Sequence, residues 1–281
     1  VTEWRIVDRY EGADHAQDAP ASRDRLTIAL IDSGIGLLAA AAAIRRLRPD
    51  ADLVLSSDPE GMPWGPRGVA DLAARALAVA EAAVAHRPDA LVVACNTATV
   101  HALPALRARL EPDIPVIGTV PAIKPAVAGG GPVAVWATPA TTGSPYQRDL
   151  IARFANGAKV AEVPCPGLAD AVERADARAV ATAITAAAEL TPDDVTAVVL
   201  GCTHYELVAE GIRAAVRRSG LVAPALHGSA DAVAAQTLRR LGVEPAPGSP
   251  VTGDLTVLLN GREAALPAPA LAYAEGRRLR A

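Results

Sequence analysis

Two segments about a hundred residues apart follow one plan. Asp89-Ala90-Leu91-Val92-Val93-Ala94-Cys95-Asn96-Thr97 and Thr196-Ala197-Val198-Val199-Leu200-Gly201-Cys202-Thr203-His204 each run from a polar residue through an apolar stretch into a cysteine and then small polar groups. A weaker pair accompanies them: residues 26–33 resemble residues 131–138, each a short apolar run ending on a hydroxyl residue. Short apolar runs bounded by breakers and alternating with helical stretches read as buried parallel strands covered on both faces. Repetition of such a unit predicts two similar parallel-sheet lobes, each of roughly 100 residues, with a cleft between them. In open α/β sheets a ligand sits outside the carboxyl ends of the strands. All four motifs end there.

The rest of the chain fits the α/β class. Further strands are expected at 53–55, 115–117, 159–163 and 222–226, and helices at 37–47 and 69–85. Residues 255–259 also read as a strand. The expected division is a polar extension at 1–25, one lobe from 26–118 plus 222–260, a second lobe from 119–221, and a Pro/Ala-rich tail at 261–281. Hydrophobic residues make up 51% of the 281 residues but aromatic ones only 3%. The core is therefore built from Ala, Val, Leu and Ile, which suits close helix–sheet packing.

Charge and cysteine usage narrow the function. Lys and Arg number 27 against 31 Asp and Glu, a net charge of −4, so the basic excess of a general nucleic-acid binder is missing. Three cysteines exclude a disulfide scaffold and fit a reducing compartment. The first 25 residues carry scattered charges, Glu3, Arg5, Asp8, Arg9, Glu11, Asp14 and Asp18 among them, before the first apolar run, with no signal-peptide core. The Ala-rich run near residue 40 is too short to span a bilayer. The expectation is a cytoplasmic protein with a small-molecule substrate, no nucleic-acid partner and no membrane partner. A homodimer is compatible with it.

Cys95 and Cys202 are the residues from which chemistry is expected. A lone cysteine at a strand end is most often a buried structural one. Two at matching positions of a repeat, both beside polar residues, favour a working pair. Metal ligation by Cys202 and His204 is the competing reading, but no C-x-x-C pair accompanies them. Cys165, between Pro164 and Pro166, lies in neither matched loop and reads as structural. Asp32-Ser33-Gly34-Ile35-Gly36 is a glycine-containing turn between strand and helix. It has the form of a phosphate cradle, yet Asp32 stands where the first glycine of that motif belongs, and a carboxylate repels phosphate and attracts an ammonium. A helix cap is the plainer role for Asp32.

Asp32-Ser33-Gly34-Ile35-Gly36, Cys95-Asn96-Thr97-Ala98-Thr99, Thr138-Pro139-Ala140-Thr141, Gly201-Cys202-Thr203-His204-Tyr205 and Val251-Thr252-Gly253-Asp254 occur in that order. The set resembles the glutamate racemase family, within the aspartate/glutamate racemase superfamily. The resemblance implies two α/β lobes with the active site between them, catalysis without pyridoxal phosphate or metal, and D-glutamate supply for peptidoglycan. By motif it makes Cys95 and Cys202 the catalytic thiols. It places Asp32, Ser33, Trp64, Gly65, Asn96, Thr97, Thr203 and His204 at the substrate. The chemistry agrees: racemisation removes the α-proton from one face and returns a proton to the other, and one base on each face does so. Sulfurs about 3–3.5 Å from Cα imply a bound S···S separation of roughly 6–8 Å. Related activities on aspartate or hydantoins, and a catalytically silent binding or regulatory protein, are the alternatives. Retention of both thiols argues against the last.

The chain departs from the family pattern in places. Leu37 follows Gly36 where a second glycine is usual. Trp64 stands for tyrosine in Pro63-Trp64-Gly65, so a hydroxyl is lost and an indole donor gained. Glu206 follows Tyr205 where proline is common, and Leu226-His227-Gly228-Ser229 stands where Ile-Asp-Ser is frequent. A strand at 255–259 replaces the usual terminal helix. These changes leave both thiols intact and fit a specialised paralogue with altered substrate preference about as well as the cell-wall enzyme that supplies D-glutamate.

Overall fold

In the computed structural model, residues 25–217 and 222–280 are described, so the expected extension lies outside the described residues except for Arg25. Among those residues ten strands form two sheets. They are β1 (Thr27–Asp32), β2 (Asp52–Ser57), β3 (Ala90–Val93), β4 (Val116–Gly118), β5 (Val133–Ala137), β6 (Val160–Pro164), β7 (Ala197–Leu200), β8 (Ala225–His227), β9 (Leu255–Leu259) and β10 (Arg262–Glu263). The first sheet runs β10-β9-β2-β1-β3-β4 and the second β6-β5-β7-β8. All pairs are parallel except β10 with β9. The order β2-β1-β3-β4 repeats as β6-β5-β7-β8, so the repeat seen in the cysteine motifs extends to whole lobes.

The alternation along β1 explains the layering. Ile28 and Leu30 enter one apolar cluster, with the helix Leu38–Leu47 above them. Ala29 and Ile31 enter the opposite cluster, under the helix Val69–Val84. Five consecutive alanines, Ala39 to Ala43, keep the first helix regular and let it lie close on the sheet. Leu72, Ala76, Val79, Ala80 and Ala83 make the buried stripe of the second, at helical spacing. The first cluster continues into the other lobe through Trp136, Val163 and Leu200.

The chain leaves the first lobe after β4 and returns after β8. The expected return point at residue 222 moves to Gly228, because β8 pairs with β7 through Ala197–Ala225, Val198–Leu226 and Val199–His227 and so completes the second sheet. The strand itself starts later than expected, after Pro224, which has no N–H for a ladder. The expected strand at 255–259 forms and extends the first sheet beside β2. The C-terminal segment is anchored: the helix Ala274–Arg280 buries Leu279 and packs on the helix Leu38–Leu47. No helix of the described residues is long and apolar enough to cross a membrane.

Candidate active site

Each cysteine follows the last ladder bond of its strand. Ala94 N–H donates to the Ile31 carbonyl at 2.8 Å, and Gly201 N–H donates to the Trp136 carbonyl at 2.8 Å. One residue later the backbone turns, at Cys95 (φ −143°, ψ 121°) and Cys202 (φ −138°, ψ 135°), into the helices Asn96–His101 and Thr203–Glu206. These matching dihedrals place the thiols at equivalent points of the two lobes, beside the central strands β1 and β5. That is the switch point of each sheet, where strand order reverses. Gly201 is required there, since a Cβ would lie 2.7 Å from the Trp136 carbonyl oxygen.

The lobes meet at the cysteines. Asn96 Nδ2 donates to the Gly201 carbonyl at 2.9 Å. Thr203 Oγ1 donates to Asp32 Oδ2 at 3.4 Å. Ile35 N–H donates to Glu173 Oε2 at 2.8 Å. A charge on Cys202 is among the influences that raise the Cys95 thiol, after burial and Asp32.

The partners of the two sulfurs differ. Asp32 is buried and takes the Ser33 N–H at 2.6 Å and a hydrogen bond from Cys95. Burial pushes the Asp32 carboxyl up to about 6, against the opposing pull of His204, the Ser33 N–H and Cys95. Burial, together with the Asp32 charge, pushes the Cys95 thiol well above its ordinary range. Cys95 is therefore held as a thiol. Cys202 is partly exposed, with Sγ 3.9 Å from His204 Nδ1. His204 Nε2 lies 3.0 Å from Glu173 Oε2. Burial disfavours a charge on His204, but its hydrogen bonds to Cys202 and Glu173 and the nearby Asp32 carboxylate raise its pKa well above the usual value. An imidazolium then donates from both nitrogens, to Glu173 on one side and toward the Cys202 sulfur on the other.

Gly36 packs directly on this network. A Cβ there would lie 2.5 Å from Thr203 Oγ1 and 2.6 Å from His204 Nδ1, and closer still to Asp32 Oδ2. Gly36→Ala is expected to lower kcat/KM by about 10²-fold, because displacement of reacting groups by an ångström costs that much. Steady-state kinetics on folded protein measure it, and a wild-type value refutes the packing argument.

The other expected site residues are placed as follows. Ser33 is buried, and its Oγ donates to Asp32 Oδ1 at 3.3 Å. Asn96 is buried, and its Oδ1 has no protein hydrogen-bond partner among the described residues. Thr97 is half-buried one residue along. Gly65 faces the Thr138–Thr141 loop of the other lobe, where its Cβ would touch Ala140 Cβ at 3.4 Å. Trp64 is buried in the cluster that contains Cys95. Its Nε1 donates to Asp58 Oδ2 at 2.9 Å, and Asp58 is paired with Arg75 at 3.1 Å. The indole donor gained at this position is thus consumed inside the lobe, as a buried indole N–H requires. Cys165 is buried in the core, with Sγ donating to the Val163 carbonyl at 3.5 Å. Among the described residues no group of three or more His, Cys, Asp and Glu is arranged to hold a metal ion.

Two groups at the site were not anticipated. Glu173 ends the helix Leu168–Glu173, far from any motif, and only the tertiary fold brings it to His204. Tyr146 comes from the helix Pro145–Phe154. Its hydroxyl is buried and has no protein partner among the described residues. Burial, then Asp149 and Cys95, push its pKa up, which places the phenol within electrostatic reach of Cys95.

A model of the family described as Asp/Glu/Hydantoin racemase matches residues 37–243. The chain belongs to this racemase family. The matched stretch holds both cysteines, His204 and Glu173, and begins just after Asp32 and Ser33. Among curated relatives, a glutamate racemase of Roseiflexus sp. (strain RS-1) is 38% identical over 212 residues, covering 74% of this chain and 78% of its own length. One from Sphingopyxis alaskensis is 36% identical over 229 residues, covering 78% and 82%. Among solved structures, the Escherichia coli glutamate racemase bound to L-glutamate and the activator UDP-MurNAc-Ala superposes with a TM-score of 0.72 at 31% identity. It covers 88% of this chain and 92% of that one. The two-lobe racemase fold is therefore shared over nearly the whole described chain.

Proposed function

We propose that the chain is a cofactor-independent amino-acid racemase that interconverts L- and D-glutamate by a two-base mechanism. The observation that carries this reading is the pair of cysteines at equivalent strand exits of two lobes, each with its own polar partners. One sulfur, as thiolate, takes the α-proton, and the bonding pair stays on the substrate as a carbanion delocalised into the carboxylate. The opposite thiol gives its proton to the other face. The protonation states of the two cysteines are then exchanged, ready for the opposite enantiomer. The His204 imidazolium, held by Glu173, stabilises a Cys202 thiolate. Asp32 faces the substrate ammonium and orients the Cys95 S–H. Asn96, Thr97 and Thr203 supply donors for the α-carboxylate, and the unpaired Asn96 Oδ1 is an acceptor for the ammonium. Circular dichroism of purified protein with L-Glu, D-Glu, L-Asp and a hydantoin, without added cofactor, tests the proposal. Glutamate loses its ellipticity fastest if it holds. No change with any of the four removes it.

Trp64 and Gly65 bound the substrate side chain in this reading. Since the indole N–H is held by Asp58, the wall presented by Trp64 is apolar. Trp64→Tyr puts a hydroxyl back and relieves bulk. It is expected to raise the glutamate-to-aspartate ratio of kcat/KM by about tenfold, the value of one buried hydrogen bond. An unchanged ratio means that this residue does not set specificity. The product, D-glutamate, suits peptidoglycan synthesis, and the cytoplasm is the compartment we assign.

A further inference from the structure

The residue four positions after each cysteine holds one of the two chain crossings between the lobes. Thr99 Oγ1 accepts the backbone N–H of Thr119 at 3.0 Å, where the chain leaves the first lobe after β4. Glu206 Oε1 accepts the backbone N–H of Ser229 at 2.8 Å, where the chain returns after β8. The halves join in the middle. Thr119 Oγ1 donates to Ser229 Oγ at 3.1 Å, and Ser229 Oγ donates to Glu206 Oε1 at 2.8 Å. Thr99, Thr119 and Ser229 are all buried. Glu206 Oε2 also takes the Ala230 N–H at 3.2 Å, so this carboxylate caps the helix Ala230–Arg240, whose own cap residue makes no side-chain capping bond. A continuous hydrogen-bonded chain, Thr99–Thr119–Ser229–Glu206, thus runs from the helix behind Cys95 to the helix behind Cys202 through both crossings.

We propose that this chain is a hinge lock that sets the angle between the lobes and hence the spacing of the two thiols, with Glu206 and Thr99 as positioning residues. The proposal rests on the two-thiol racemase reading. Two sulfurs must reach opposite faces of one carbon, so a shift of an ångström at the hinge separates one of them from its proton. Substrate contacts within each lobe are touched less. Gly228 shows how closely the carboxylate is fitted: a Cβ at that position would collide with the Glu206 carboxylate. An aspartate at 228 would deliver its carboxylate from the return crossing into the space that Glu206 now fills.

A double-mutant cycle tests the lock. Glu206→Ala is expected to lower kcat for glutamate about tenfold or more, with KM moving less than about twofold. Gly228→Asp alone crowds two carboxylates into one place and also lowers kcat. Gly228→Asp combined with Glu206→Ala is expected to recover kcat to within about threefold of wild type, a reciprocal rescue that independent losses do not produce. Thr119→Val breaks the same chain at its centre with an isosteric side chain. It is expected to lower kcat in the same direction, and it serves where Glu206→Ala fails to fold. Wild-type kcat in folded Glu206→Ala and Thr119→Val, or a folded double variant no faster than Glu206→Ala, overturns the lock. A wild-type protein that racemises none of the acids overturns the racemase reading instead.

Discussion

Serine in place of either Cys95 or Cys202 is expected to abolish racemisation, with kcat reduced at least about 10³-fold and KM for glutamate within about threefold of wild type. The size follows from the chemistry. A serine hydroxyl nearly matches the thiol in shape but does not ionise in this range, so the missing base cannot take the α-proton on its face or return one to it. The small change in KM follows from the proposed division of labour, in which Asp32, Asn96, Thr97 and Thr203 contact the ammonium and carboxylate. The two variants report on different partners. Cys95→Ser leaves Asp32 with a hydroxyl donor, whereas Cys202→Ser leaves the His204–Glu173 pair without the sulfur it supports. Loss of ellipticity of L- and D-glutamate, followed separately, measures both. Either variant retaining more than about a tenth of the wild-type rate would make that cysteine structural. Chelators should leave the rate unchanged. Loss in EDTA with recovery on zinc addition would return Cys202 and His204 to the metal reading.

The sequence motifs carried more of this site than its electrostatics. The cysteines were legible because an apolar run into Cys and then small polar residues marks a strand exit, and because the pattern occurs twice. β5 forms at Val133–Ala137 as the run predicts, since its residues are all buried and its ends are marked by Pro132 and Thr138. β8 was displaced, because its apolar run contains Pro224 and a strand of three residues has little pattern of its own. Glu173 had no local signature: it lies 31 residues from His204 along the chain and meets it only through helix packing. The same holds for Thr119 and Ser229, ordinary hydroxyl residues whose meaning comes from sitting at the two crossings. Trp64 stands out in the sequence as a departure, but its partner Asp58 does not, since an acidic residue in a turn-rich loop has many possible fates. Local pattern reports where a strand ends. It does not report which distant carboxylate the fold will bring to it.

Asp32 should govern the acid side of the activity. Its carboxyl, pushed up to about 6, is neutral at low pH and ionised above. Only the ionised form attracts the substrate ammonium and accepts from the Cys95 S–H. Hence kcat/KM is expected to fall as pH drops through about 6, with the slope of a single proton. In the proposed complex the substrate ammonium lies beside this carboxylate and favours its ionised form. The acid limb of kcat therefore lies at lower pH than that of kcat/KM. Asp32→Asn is expected to cost about 10²-fold in kcat/KM at neutral pH and to remove the limb. The linked effect on stability has the opposite sense. A carboxyl whose pKa is raised on folding contributes stability that is complete below its unfolded value of 3.8 and is lost as pH rises through about 6. At pH 8 the native protein thus holds a buried charge that burial opposes, and Asp32→Asn should raise the melting temperature there while it removes activity. At pH 4 that gain should shrink, because the wild-type carboxyl is then already neutral in the folded state. Thermal unfolding of both proteins at the two pH values, beside the pH–rate profiles, decides the role. A flat profile for the wild type, or full activity in Asp32→Asn, would leave Asp32 as no more than the cap of the turn that follows β1.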